Sequence, residues 1–364
     1  MCLPSAKKAL YNSIGQPDIY AKTLIVMTTI MTISDLTNNG FSLPHFANQL
    51  DTSFAAIDWQ APWLCHLNQL HYLTKTINQL SSEKVQQDSA KHFADHNNLR
   101  EIIAQVLNKA LNQQSAFMQI PLPTTKATAN NQAHVVEFVS QNASAEGKGY
   151  EQFIANTGKI PTRDNLHDLF NGSIWLTFPK TKAVLNYYHM LEIAKQSDEP
   201  ANQKSRGRVR DAITVFDENG AVLVTSEPSI GEALIHFDWQ GSLINSRANW
   251  DNPRQPQANS KATVYIFGHA LLEQLIQPRK PLCAHSIVIN VSQDFFGLLT
   301  AERIIYLDDK LAEYMDDLLY QDTVTPRQLA PLPILGVPHF WSENSNADFY
   351  KDDFVFRRGR YHQK

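Results

Sequence analysis

The sequence predicts an α+β fold, mostly helical with a small mixed sheet or hairpin, built as a single large globular unit. Three observations lead there. Apolar residues recur at helical spacing over 99–111, 166–176 and 304–319. Short runs rich in β-branched and aromatic residues at 135–139, 212–216, 221–225, 263–267 and 284–291 read as strands. The chain has 364 residues, 43% hydrophobic and 19% charged, enough to bury a large core.

Composition removes several function classes. A net charge of -4 argues against a surface devoted to nucleic acid. Cys2, Cys65 and Cys283 are odd in number, widely separated and free of any CxxC spacing. Neither a disulfide framework nor a thiolate zinc site is expected, and a reducing cytoplasm fits best. The apolar run 24–33 follows Lys7, Lys8 and Lys22 and imitates a secretion signal. It is too short to span a bilayer, and no small-x-small site follows it. With Met27 and Met31 inside it as alternative starts, residues 1–40 read as a poorly ordered or upstream extension. No other run approaches membrane-spanning length, so no membrane partner is expected.

Residues 41–133 read as a helical region that packs on the rest. A Trp- and Pro-containing stretch at 57–63 leads into a helix over 64–80. A second helix over 99–111 places Ile102, Ile103, Val106, Leu107 and Ala110 on one side. Residues 121–132 have linker composition.

The main domain follows at 134–364. A strand at 135–139 and a loop at 141–149 precede a helix over 150–156 that Gly158 stops. Thr162 is suited to N-cap the next helix, with Asp164 in its first turn where an anion favours the dipole. At 100° per residue, Leu166, Leu169, Phe170, Ile174 and Leu176 form one apolar face. Asp164, His167, Asp168, Asn171 and Trp175 fall opposite. Acids alone would suit a solvated face. A large indole among them is unusual in water, so the polar face is expected to be covered as well, as a pocket wall or a buried network.

Pro179 suits the first position of a helix running to about 195. Lys180 and Lys182 then oppose its macrodipole. Either both reach solvent, or an anion sits at this helix start, whether a nearby carboxylate or a ligand's phosphate or carboxylate. Asn186 lies one turn on from Lys182. Residues 197–210 form a polar connection ending in Lys204, Arg206, Arg208 and Arg210, with Arg210 and Asp211 opening a strand. The tetrapeptide 217–220 (DENG) reads as a hairpin turn in preference to a paired-carboxylate site.

A helix over 229–237 and a strand over 263–267 come next. The helix over 270–277 carries His269 and Glu273 at i and i+4. That spacing suits two metal ligands, a base with its orienting carboxylate, or a helix-start His with a satisfied partner. His285 opens the strand at 284–291. The helix over 304–319 carries Asp308, Asp309, Glu313, Asp316 and Asp317, an acidic face expected in solvent. Residues 331–341 are extended and apolar enough to lie over the core, and 349–360 read as a short strand or arm.

With those residues in place, the chain resembles a bacterial family known only as domain of unknown function 3025. The resemblance rests on 161–171 (PTRDNLHDLFN), Trp175, 178–183 (FPKTKA), Asn186, 210–212 (RDA), 216–220 (FDENG), 267–273 (FGHALLE) and 331–338 (PLPILGVP). Gly172-Ser173 stands where the pattern is more apolar, which would loosen packing beneath the pocket. His339 stands where it has a glycine, which puts a side chain near a turn. The resemblance implies a soluble bacterial protein and brings no activity with it.

Two readings follow from the residues. In the first the protein is an enzyme, a hydrolase or group-transfer catalyst on a small anionic substrate. His167 is then a general base or metal ligand, with Asp168 and Asn171 orienting it and His269 and Glu273 completing the set. Arg163, Lys180, Lys182, Asn186, Arg210, Asp211 and Trp175 line the substrate, and His285 is a weaker candidate. A divalent metal is compatible with these side chains, whereas no nucleotide-cofactor motif, P-loop, HExxH or nucleophile elbow occurs. In the second, the same residues form a buried network in a non-catalytic protein that binds a nucleotide, RNA or an acidic partner.

Overall fold

The computed structural model describes residues 50, 52–82, 102–113, 136–143, 149–197, 207–321 and 323–359. The readings for 1–40 and the linker at 121–132 lie outside the described residues, as does most of the polar connection before Arg208.

The fold is α+β, predominantly helical, with two small sheets. Its α-helices are α1 (His71–Ser82), α2 (Ile102–Gln113), α3 (Tyr150–Thr157), α4 (Leu166–Thr177), α5 (Pro179–Ser197), α6 (Arg208–Asn219), α7 (Pro228–Ile235), α8 (His269–Gln274) and α9 (Thr300–Tyr320). Strands β1 (Glu137–Ser140) and β2 (Lys159–Thr162) pair in parallel. Strands β3 (Gly220–Thr225), β4 (Ala262–Ile266), β5 (Cys283–Asn290) and β6 (Ala330–Pro333) form a mixed sheet in the order β4-β3-β5-β6. Only the central β3–β5 pair is parallel, with Gly220 opposite His285. All six residues of β3 are buried, so its unbroken apolar run GAVLVT is what a strand covered on both faces requires.

The segment 212–216 corrects the sequence reading. It lies inside α6, and Asp217 to Asn219 form the end of that helix instead of a hairpin turn. The β-branched Ile213, Thr214 and Val215 suggest a strand, but Val209, Ala212, Ile213 and Phe216 recur at helical spacing and are buried. Tertiary burial of that stripe overrides local propensity. Of the predicted arm at 349–360, the described residues 349–359 form no strand, and 347–351 are a 3-10 turn. The first predicted helix is split into a 3-10 segment (Pro62–Gln69) and α1.

α4 begins later than Thr162 suggests. Thr162 belongs to β2, and the N-cap is Asn165, whose side chain accepts from Asp168 N. Asp164 serves a different helix: its carboxylate accepts from Ile103 N at the start of α2. That bond ties the early helices to the family-like domain, as does Asn108 on α2. Its amide donates to Phe138 O and accepts from Phe138 N, standing in for a strand on the free edge of β1. Trp59 packs against Phe170, with ring centroids 6.4 Å apart. Gly172 lets α2 and α4 meet, because a Cβ there would run into the Leu107 side chain, 2.9 Å from Cδ2 and nearer still to Cδ1. The glycine therefore tightens this contact, where the sequence suggested loosening.

The meeting of α4, α6 and α8 originates in a backbone junction. A Cβ at Gly268 would lie 2.5 Å from both Glu218 O and Gly220 N. The end of α6, the start of β3 and the β4–α8 turn are therefore pressed together, and Phe267 N and Gly268 N both donate to Gly220 O. Phe267 stacks on Phe216 with centroids 4.8 Å apart and sits 5.5 Å from Phe178. This places the α8 N-terminus beside the α6 C-terminus, with α4 packed alongside.

Candidate functional site

α4, α5, α6 and α8 bring their polar residues into one row that runs from solvent into the protein. At the rim, His167 Nδ1 lies 3.0 Å from Glu273 Oε2. These side chains are 37% and 42% exposed, so the rim is open. His167 Nε2 lies 3.1 Å from His269 Nε2, the two rings nearly perpendicular. His269 is buried, with Nδ1 3.9 Å from Asp217 Oδ2, beyond direct hydrogen bonding. Asp217 Oδ1 accepts from Lys182 Nζ at 2.5 Å. Lys182 also donates to Asn171 Oδ1 at 3.0 Å and lies 5.3 Å from the Trp175 ring centroid. Asn171 in turn donates to the Tyr150 hydroxyl at 2.8 Å.

The electrostatics follow from burial and charge. Burial drives His269 down to about 4, further than the Asp217 carboxylate pulls it back, so it is neutral at pH 7. Burial alone would raise Asp217, but the Lys182 charge, joined by that of His269 where acid protonates the ring, outweighs it and holds the carboxyl below its ordinary value. Desolvation pushes the Tyr150 hydroxyl well above its usual range, against the pull of its Asn171 hydrogen bond.

Trp175 is buried, and its Nε1 has no hydrogen-bond partner among the described residues. The whole span from Asp168 to Thr177 is buried, so both faces of α4 are covered. On α5, Asn186 lies one turn from Lys182 and donates to Glu151 O. His189 follows, 3.9 Å from Glu151 Oε1.

The remaining predicted residues are placed differently. Asp168 is engaged by Arg163: the Arg163 backbone N donates to Oδ2 at 2.6 Å, and the guanidinium grips the carboxylate in a fork at 3.0 and 2.9 Å. Asp168 therefore fixes Arg163 and leaves His167 to Glu273. Arg163 keeps 56% of its side chain exposed beside the rim. Lys180 points to the far side, where its ammonium pairs with Asp309 on α9. The anion at the α5 start is Asp308, which accepts from Lys180 N and Thr181 N, both at 2.9 Å. Asp308 is buried, correcting the reading of an acidic face wholly in solvent, and desolvation lifts it to about 6. Arg210 and Asp211 open a helix and not a strand. Arg210 shares the Asp217 face at i and i+7, about 10 Å back along the axis. No hydrogen bond or ion pair among the described residues links His285 to the row.

Asp217, Tyr150, Glu151 and His189 join the cluster without having been singled out as site residues. Asp217 was legible as a carboxylate but hidden by the turn reading. Tyr150 and Glu151 open a short helix that carries no polar motif of its own. Among the described residues no three His, Cys, Asp or Glu side chains converge as metal ligands.

The fold and the row define a helical α+β protein in which ionisable side chains from four helices pass from an open rim to an enclosed lysine. The chain belongs to the family of proteins of unknown function DUF3025, whose model matches residues 136–360 and so includes every residue of the row. No curated protein and no solved structure matches the chain. No helix among the described residues is long and apolar enough to cross a membrane.

Proposed function

We propose that the protein is a hydrolase or group-transfer enzyme for a small anionic substrate, with His167 moving the proton. The observation carrying this reading is that His167 is gripped at both ring nitrogens while its ring stays open to solvent. A carboxylate on Nδ1 and a neutral imidazole on Nε2 leave one proton between the two rings. If that proton belongs to His269, the bare Nδ1 of His269 faces the Asp217 carboxylate. If it belongs to His167, the Nδ1–H of His269 faces Asp217, and one further proton taken from solvent leaves both His167 nitrogens protonated, with Nδ1–H on Glu273. Asp217 favours the second arrangement. His167 then gives its Nδ1 proton to a leaving-group oxygen that takes the place of Glu273. The neutral ring keeps Nε2–H on His269 and takes a proton back from the attacking water. Arg163, half-exposed and clamped by Asp168, is the cation positioned to hold the substrate's anionic group.

Lys182 and Asn171 then position Asp217 from inside without touching substrate. Their complete enclosure supports the second reading in part: this half of the row is architecture. The free thiols of Cys65 and Cys283 support a reducing compartment such as the cytoplasm.

The test is turnover of p-nitrophenyl acetate, p-nitrophenyl phosphate and bis-p-nitrophenyl phosphate by wild type, His167→Ala and Glu273→Gln. Turnover of at least one ester should fall about 100-fold or more in His167→Ala, with an unchanged melting temperature. Equal rates in wild type and His167→Ala, or no turnover of any ester, would sink the catalytic reading.

A further inference from the structure

A cavity of about 540 Å³ lies away from the His167 row, between the 56–64 segment, the C-terminal end of α8, the 247–254 loop and residues 339–345. Its volume is that of a small-molecule site. Trp63, Phe340 and Trp341 supply flat apolar wall, with the Trp63 and Phe340 rings 6.3 Å apart. Arg247 and Arg254 face it, with Asp58 as the acid among the lining residues, so the charge balance is positive.

Two features indicate that this wall is built. Arg247 is fixed by a side chain that is itself fixed: its guanidinium donates to Asn344 O and to Asn344 Oδ1, both at 3.0 Å. Asn344 is 1% exposed and donates both amide hydrogens to Leu335 O and Val337 O. A buried amide thus holds a half-exposed guanidinium in one orientation at the cavity wall. The second feature is His339, which lines the cavity with φ at 69°, a left-handed backbone that disfavours any residue with a Cβ. Residues held in such strain cluster at functional sites. Arg254 donates its Nε to Gln60 O, and its two terminal nitrogens have no partner among the described residues.

We propose that this cavity binds a small planar molecule carrying one anionic group, its flat body between Trp63 and Trp341 and its anion on Arg254, Arg247 and His339. The site is separate from the His167 row, and its test does not depend on catalysis.

The probe pair is 8-anilino-1-naphthalenesulfonate and its uncharged parent N-phenyl-1-naphthylamine, titrated into the full chain and followed by fluorescence. The sulfonate should bind at one site and about tenfold tighter than the parent. Arg254→Gln should remove most of that difference, since one charge-assisted contact is worth about a tenfold change. His339→Gly should weaken the sulfonate and raise the melting temperature, because strain and contact are lost together. His167→Ala should bind both probes as wild type does. Equal affinity for the two probes, or an Arg254→Gln variant indistinguishable from wild type, would overturn the assignment. So would a His339→Gly variant that gains stability and binds unchanged.

Discussion

Lys182→Met tests the enclosed half of the row most directly. The lysine side chain is 5% exposed and meets three groups at once: Asp217, Asn171 and the Trp175 face. Methionine fills similar space and removes the charge and all its hydrogen bonds. Stripping one partner from a buried ion pair costs about 3–5 kcal/mol, mostly because the other charge is left uncompensated. Asp217 is 25% exposed, so water screens part of the stranded charge and the lower end applies, about 3 kcal/mol. For a chain of 364 residues, at about 2.1 cal/mol/K of unfolding entropy per residue, that is a fall of about 4 °C in the unfolding midpoint. Asp217→Asn removes the stranded charge, so the double variant should recover about 2 kcal/mol relative to the sum of the single changes. Urea unfolding at pH 7.5, followed by tryptophan fluorescence, measures all four proteins. The pH sense is also fixed. The folded Asp217 carboxyl is depressed, so its contribution is complete above the unfolded value, about pH 4, and fades as pH falls through the lower folded value. A Lys182→Met variant within 0.5 kcal/mol of wild type at pH 7.5, or strictly additive single changes, would refute this account of the row.

Two further outcomes concern stability. Burial holds both His269 and His66 at about 4 in the folded protein. Between their ordinary value and pH 4 the unfolded chain binds two protons that the folded chain does not. Stability should therefore fall on acidification through this window, by up to about 3 kcal/mol for each histidine. Asp308, lifted to about 6, acts in the opposite sense: over its own window the folded chain holds the extra proton. Asp308→Asn should thus steepen the acid loss, and urea unfolding at pH 7.5, 5.5 and 4.5 shows whether it does. For Gly172→Ala, overpacking against Leu107 at about 1–3 kcal/mol should outweigh a helix-propensity gain of about 1 kcal/mol. The variant should be destabilised by about 1 kcal/mol, and Leu107→Ala in the same chain should reverse the sign of the alanine's effect.

Periodicity exposed much of this fold, because α2, α4 and α9 each present an apolar stripe, and Pro179 marked the start of α5. The Trp175 indole was enough to mark the second face of α4 as covered, and it is 3% exposed. His269 and Glu273 were readable as a pair one turn apart, but their real partner, His167, lies 102 residues from His269 and no local pattern links them. The failures have one physical source. Ile213, Thr214 and Val215 favour a strand locally, and Asn219-Gly220 favours a turn. Helical burial of Val209, Ile213 and Phe216 won, and it carried Asp217 from a presumed loop into the row.

Lys180 and Asp308 show what local frustration does and does not reveal. Two cations at a helix start oppose its dipole, and an acidic helix face gives no hint of needing a partner. Each reading is incomplete alone, and each completes the other across 128 residues: Asp308 leaves solvent to cap α5, and Asp309 takes the ammonium of Lys180. Lys182 departs from its neighbour in the same way, turning inward to Asp217. The conflict with the dipole is thus settled by three carboxylates on two helices, Asp308 and Asp309 on α9 and Asp217 on α6, none of them a ligand's. The proposed substrate anion therefore needs a cation that is still exposed beside His167 and Glu273. At the His167 rim that cation is Arg163, which Asp168 holds in place while more than half of its side chain faces water.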